Sequence, residues 1–270
     1  MTNPFLDIYD IPLWSAPFGQ VLLENIDYTP QTKYVLDIGS GTGFPLLELS
    51  QRFSPKTYLY GIDIDKTSID CLRKKIIDTR TTNVTALQEN AENLSFDDNY
   101  FDLIVSNNGI NNIANKEKVF SECYRTCNFK GQLVFTYNLN DTYSSFYNIF
   151  LGILKKNNLL KEVDRTYNHI EEKRPQIDQI KFWVRNSGFT ITDISYSQFK
   201  MCFSNATSFF NHYFIKKYFL PEWKKIVNDE CNEIIFEELK KELEKNMKGF
   251  LEFKVPFACI VSRKQHYGSK

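Results

Sequence analysis

The sequence predicts an α/β fold, a doubly wound and mostly parallel sheet with helices on both faces. Three observations predict it. Short, largely apolar, β-rich runs recur at residues 34–38, 58–62, 82–88, 100–105 and 132–137, and helical periodicity fills most of the spaces between them. The first run, with Tyr34, Val35, Leu36 and Ile38, is apolar almost throughout, as a strand buried on both faces is. Glycines follow the first run at alternate positions, Gly39, Gly41 and Gly43, which marks a sharp turn from strand to helix.

Each element has its own signal. Residues 1–32 form an N-terminal segment that includes a short helix over 18–26. After the glycine turn, Pro45 suits the first turn of a helix whose face is Leu46, Leu47 and Leu49. The second run, 58–62, ends in Asp63. Ile69, Leu72, Ile76 and Ile77 stand at helical spacing within 66–80. Asp97, Asp98 and Asn99 make a turn before the run at 100–105, and a helix over 119–127 precedes a turn at 128–131. From 138 to 187 the pattern is mostly helical. One apolar face is Tyr143, Phe146, Tyr147, Phe150, Leu151 and Leu154, and another is Ile177, Ile180 and Val184, closed by Gly188. Residues 189–203 supply a sixth strand, and 252–262, rich in β-formers apart from Pro256, a last one. Between them lies an insertion, 204–249, dense in rings and then periodic in Ile and Leu. The expected division is 1–32 as a covering segment, 33–203 as core, 204–249 as helical insertion, and 250–270 as last strand and tail.

Composition narrows the function. The 270 residues suit one domain with additions. Hydrophobic residues make up 42% and charged residues 24%, as in globular proteins. Basic and acidic residues balance at 33 each, so no overall field favours nucleic acid. Six cysteines show no Cys-x-x-Cys pair and only three histidines are available, so no metal site is expected. The N-terminus lacks a basic-then-apolar signal, and no apolar run approaches the length of a membrane span. The expectation is a cytoplasmic protein without membrane segments, monomeric or homodimeric.

The glycine turn carries the chemistry. A strand turning sharply into a helix presents unpaired N–H groups and the positive end of the helix dipole. An acid ending the second strand is placed to accept from two ribose hydroxyls. A dinucleotide fingerprint requires G-x-G-x-x-G/A, but Phe44 stands at its third small position. Asp37 before the turn instead suits a ligand carrying an ammonium group and no phosphate there.

The run Asp37-Ile38-Gly39-Ser40-Gly41-Thr42-Gly43 resembles the first motif of class I S-adenosylmethionine-dependent methyltransferases. Residues 89–96 resemble that family's third motif, with Asn90 in place of its acid. The run from Tyr100 through Asn111 resembles the fourth motif of quinone-biosynthesis-type members, with Asn111 in place of a histidine. Asn has no useful pKa, so Asn111 is no general base. The resemblance implies a seven-stranded Rossmann-like methyltransferase sheet and S-adenosyl-L-methionine as cofactor, with S-adenosyl-L-homocysteine as product. It implies a turn of Asp37, Gly39, Ser40, Gly41 and Gly43 along the methionine part, and Asp63, beside Ile64, on the ribose. Asn90, Ala91 and Glu92 fall at the adenine, and Ser106, Asn107 and Asn108 near the sulfonium.

Tyr9 and Trp14 are expected either to fold over the cofactor or to pack on the sheet's flank. The 204–249 insertion is read as a cap enclosing substrate, with an edge buttress and a dimer surface as alternatives. The acceptor implied is a small, partly apolar molecule. A base, where one is needed, would come from His169, His212, Tyr143 or Tyr213, which are candidates by residue type alone. Three other functions compete: a non-catalytic module binding the same cofactor, a nicotinamide-dependent oxidoreductase, and a nucleic-acid or protein methyltransferase, against which stand the lack of a basic stripe and Ser106-Asn107-Asn108-Gly109 in place of an N/D-P-P-Y/F motif.

Overall fold

A computed structural model describes residues 14–246 and 249–265. The elements are α1 (Ser15–Glu24), β1 (Tyr34–Ile38), α2 (Leu46–Arg52), β2 (Tyr58–Asp63), α3 (Lys66–Asp78), β3 (Val84–Gln88) and β4 (Phe101–Asn107). There follow α4 (Lys116–Thr126), β5 (Cys127–Asn138), α5 (Ser144–Lys156), α6 (Leu160–Lys173), α7 (Ile177–Asn186) and β6 (Thr190–Phe203). The chain closes with α8 (Ala206–Asn211), a π-helical turn (Ile215–Phe219), α9 (Leu220–Ile226), α10 (Asn232–Lys245) and β7 (Leu251–Arg263).

The seven strands form one sheet in the order β3-β2-β1-β4-β5-β7-β6. β1 pairs in parallel with β2 and β4, β2 with β3, and β4 with β5, while β7 runs antiparallel to β5. Strand order therefore reverses between β1 and β4, which is where open α/β sheets bind ligands at their carboxyl edge. β7 pairs with β5 only from Phe257 onward. Pro256, just before it, has no N–H to give a ladder. β5 begins five residues earlier than the run expected at 132, because Cys127 pairs with Phe101 ahead of a register shift.

Of the described residues, 14–138, 177–197 and 257–265 make one compact unit; 139–176, 198–246 and 249–256 make a second. This differs from the division expected at 33–203 and 204–249. Residues 139–176 join the later helices because the apolar face of α5 finds its partners there. The Phe146 ring stacks on Trp223 with centroids 4.1 Å apart, and Phe209 packs on Phe253 at 4.6 Å. Tyr143, Phe146, Phe209 and Trp223 are all fully buried. Truncating one such ring to alanine costs about 3–5 kcal/mol.

One cluster of the first unit's core is largely aliphatic. Val35, Leu46, Leu49, Leu72, Leu103 and Val105 are almost wholly enclosed, with Leu22 and Leu23 of α1 packed among them. Helix α3 starts where Asp65 caps it, accepting from Ser68 N at 3.1 Å and Thr67 N at 3.3 Å. Among the described residues no helix is long and apolar enough to cross a membrane.

Candidate cofactor site

The site begins where β1 ends. Gly39 N and Ser40 N both donate to Ile62 O at 2.9 Å, which ties the turn to the end of β2. Gly41 N donates to Asp63 Oδ2 at 3.0 Å, and Asp65 N to Asp63 Oδ1 at 2.9 Å. The Asp63 carboxylate thus holds the glycine turn while keeping lone pairs for a further donor. Gly41 has φ +52°, and a Cβ built on it would meet no atom within 4 Å. That open space above bare backbone is what a ligand lying on the turn requires. Gly39, at φ +72°, serves packing instead: a Cβ there would come 2.9 Å from Gly109 Cα. Sequence reading missed Gly109, whose role is visible only once β1 and β4 lie side by side.

Asp37 is fully buried in the middle of the sheet, and among the described residues neither of its carboxylate oxygens has a hydrogen-bond partner. Burial, with the charge of Asp63 adding to it, pushes its pKa up to about 8. The Leu46 N–H at the start of α2 opposes the rise without reaching hydrogen-bond geometry. Ser40 Oγ is likewise buried without a partner. An orphaned acid of this kind is stabilised by an incoming cation, since a cation restores its charged form. The turn therefore fits a ligand with an ammonium group, as S-adenosylmethionine has.

The loop after β4 is held firmly. Ser106 Oγ donates to Ile38 O at 2.8 Å and accepts from Ile110 N at 3.2 Å. Asn107 Oδ1 accepts from Thr136 Oγ1 at 3.1 Å, and its Nδ2 donates to Ser15 O at 3.0 Å, joining α1 to the strand end. Asn108, at φ +57°, donates its N–H to the same Thr136 Oγ1 at 3.0 Å. Asn111 is buried and its amide donates to Asn108 Oδ1 and Asn138 Oδ1. Its amide thus ties the loop to the end of β5, while its Oδ1 is buried without a hydrogen-bond partner among the described residues. At the end of β5, the buried Tyr137 hydroxyl has no partner, and burial pushes its pKa up.

Around β2 and β3, Ile64 exposes 70% of its surface beside Asp63. An exposed apolar side chain there offers a face to a flat ring. Asn90 Oδ1 accepts from Glu92 N at 2.9 Å, a local turn bond that leaves its amide N–H2 and a lone pair over. Ala91 is buried, and Glu92 Oε1 accepts from Asn115 N at 3.1 Å. Trp14 packs its ring on Phe18 with centroids 5.5 Å apart, and Phe18 packs on Phe257 at 4.6 Å. Tyr9 lies outside the described residues. Phe44, the residue that breaks the dinucleotide fingerprint, packs where a Cβ on Gly19 would meet its ring at 2.3 Å.

The four candidate bases belong to the second unit. Tyr143 is fully buried, its hydroxyl on Met201 Sδ at 2.9 Å, and burial pushes its pKa up. His169 is pushed down to about 4, chiefly by burial and then by the charges of Arg174 and Lys173. The His212 ring packs on Phe203 at 5.4 Å; its Nδ1 is buried without a partner, and burial lowers its pKa. Tyr213 is half-buried with Lys217 Nζ 6.0 Å from its ring. Among the described residues no group of three His, Cys, Asp or Glu side chains is arranged for a metal.

Residues 36–135 match the methyltransferase domain family. The chain is 28% identical over 164 residues to the ubiquinone/menaquinone biosynthesis C-methyltransferase UbiE of Haemophilus ducreyi, covering 57% of this chain and 63% of that protein. The match thus spans under two thirds of that relative. The fold is shared with the YcgJ protein of Bacillus subtilis, at TM-score 0.60 and 15% identity over 93% of this chain and 99% of that one. It is shared too with phosphoethanolamine N-methyltransferase 2 of Haemonchus contortus, crystallised with phosphomonomethylethanolamine and S-adenosylhomocysteine, at TM-score 0.55 and 15% identity over 94% and 53%. Residues 36–135 are thus similar to methyltransferase domains, and the fold over most of the chain is one that a methyltransferase shares.

Proposed function

We propose that the protein is an S-adenosylmethionine-dependent methyltransferase acting on a small, partly apolar molecule. The observation that carries this reading is the glycine turn itself: open backbone at Gly41, a buried and unpaired acid at Asp37, and a carboxylate at Asp63 hooked to the turn. When bound, the cofactor supplies a methyl group already activated on a sulfonium. The chain's residues bind and orient. Asp63 accepts from the ribose hydroxyls, Asp37 compensates the ammonium, and Ile64 and Ala91 flank the adenine. Asn90 accepts from the adenine amino group without the charge assistance of a carboxylate. Ser106, Asn107 and Asn108 shape the wall beside the reacting centre. Trp14 covers the cofactor. The acceptor must be aligned and water excluded, which needs no protein nucleophile.

The alternative, a module that binds the cofactor without catalysis, is not favoured by the named relatives, which are methyltransferases. Burial pushes the pKa of Tyr143 up and those of His169 and His212 down, which keeps the phenol protonated and makes the two imidazoles weaker proton acceptors. A carbon or thiolate acceptor would need no such base. Two measurements separate the readings. Calorimetry should show S-adenosylmethionine and S-adenosylhomocysteine binding and NADH not binding. Transfer of labelled methyl to a panel of enolic, phenolic and thiol acceptors should then find one that turns over. Binding without any turnover would favour the module; NADH binding would overturn both. A monomer or homodimer in the cytoplasm, without nucleic-acid partners, completes the proposal.

A further inference from the structure

Arg174 follows α6 in the second unit and is 3% exposed. Its Nη1 donates to Tyr147 Oη at 2.8 Å, and its guanidinium carbon lies 5.2 Å from the Tyr147 ring centroid and 5.7 Å from that of Phe219. Its Nε–H is buried and donates to nothing among the described residues. Among the described residues Arg174 forms no ion pair. A guanidinium carries five N–H donors and no acceptor, and it stays charged. Burying it without an anion is costly, because the desolvation is not repaid.

The neighbours make the imbalance larger. Trp223 is fully buried and donates Nε1–H to the same Tyr147 oxygen at 2.9 Å. That oxygen therefore accepts twice, and among the described residues the hydroxyl proton of Tyr147 meets no acceptor. The cluster gathers the donors of Arg174, Trp223 and Tyr147 around a single acceptor. The field there is positive as well. His169, whose ring centroid lies 6.2 Å from that of Tyr147, feels the charges of Arg174 and Lys173 in addition to burial, opposed only by Glu222.

We propose that Arg174 and Tyr147 form a binding position for an oxyanion, the carboxylate or phosphate group of a small, partly apolar molecule. The Nε–H of Arg174 and the O–H of Tyr147 donate to it, and Trp223 holds the phenol in place. A guanidinium fork matches a planar or tetrahedral oxyanion, whereas a neutral ligand would leave the cation uncompensated. The rings of Tyr147 and Phe219 on the guanidinium suit an anion attached to an apolar body. This goes beyond methyl transfer and rests on the second unit alone.

The test reads binding and not turnover, so its failure leaves the cofactor reading standing. The full chain is titrated in a calorimeter with phenyl phosphate, with benzoate, and with phenol as the neutral control, in excess S-adenosylhomocysteine to keep the glycine turn out of the count. One or both anions should bind, and which one tells phosphate from carboxylate; phenol should be silent. Arg174→Met should weaken binding by roughly tenfold to a hundredfold, the loss of one hydrogen bond to a charged group. Arg174→Lys keeps charge and bulk should the methionine variant not fold, and it too should bind more weakly, having lost the fork. In the wild-type chain the Arg174 Nε–H resonance, assigned by its absence from Arg174→Lys, should move on adding the anion. Silence of both anions, equal binding by phenol, or an unmoved Arg174 resonance on binding would overturn the proposal in favour of a guanidinium satisfied by water.

Discussion

Asp37 in the first unit and Arg174 in the second are both buried ionisable groups without a counter-ion among the described residues, and they bear that burden differently. The carboxyl of Asp37 can take up a proton, and its pKa of about 8 means that near neutrality it largely does. A guanidinium has no such escape and must find an anion or donate to neutral oxygens and rings. Asp37 sits in an aliphatic sheet beside an acid that repels it. Arg174 sits among rings that attract it. The lesson is that an unpaired buried charge is tolerated where the fold offers either a proton or a π-face, and that each unpaired group marks the sign of what is missing.

Four substitutions break or sharpen that contrast, the largest effect first. Gly39→Val forces a branched side chain to φ +72° and against Gly109 Cα. It should cost about 3–4 kcal/mol in chemical denaturation, by strain and overpacking together. A loss under about 1 kcal/mol would mean that the β1 and β4 turns are not locked together. Asp63→Ala removes the acceptor of Gly41 N–H and Asp65 N–H. Calorimetry should show cofactor affinity falling roughly a hundredfold, the worth of about two hydrogen bonds to a charged group.

Asp37→Asn addresses the contrast directly. The folded pKa of Asp37 stands above its unfolded value, so the folded state binds the extra proton between about pH 4 and about pH 8. Stability from this group is full below that window and is lost as pH rises through it, with a slope of at most about 1.4 kcal/mol per pH unit. The asparagine variant should lack this loss and be more stable than wild type near pH 8 by roughly 1–3 kcal/mol, while binding the cofactor more weakly. Equal pH profiles for the two chains would show that Asp37 is not protonated in the fold. Gly41→Ala should have the smallest effect on stability, about 1 kcal/mol for a methyl at φ +52° with open space around it. Its cofactor affinity should drop by more than its stability does, since the methyl occupies the face the ligand would use.

Much of the first unit was legible because its signals are local. Gly39, Gly41 and Gly43 after an apolar run announce a strand-to-helix turn, and Asp63 at the end of the next run completes a pair that the structure joins through Gly41 N–H. Asn107 was legible as a loop residue, but not its bridge to Ser15 and Thr136, partners distant in sequence. The second unit was less legible. Its helices read from the spacing of Phe146, Phe150 and Leu154, yet 139–176 was assigned to the core. Helical spacing states that a face is buried, not against what. Arg174 gave no signal at all, since an arginine before a proline reads as a solvated helix end.

By itself the sequence determined the parallel strands, the glycine corner and the acids flanking it, because short-range spacing and backbone geometry decide those. Only the tertiary structure decided that the last strand enters antiparallel beside β5, that Gly109 must be bare to receive Gly39, and that Arg174 is enclosed by rings. Those facts depend on which distant surfaces exclude water together, and no local pattern encodes that.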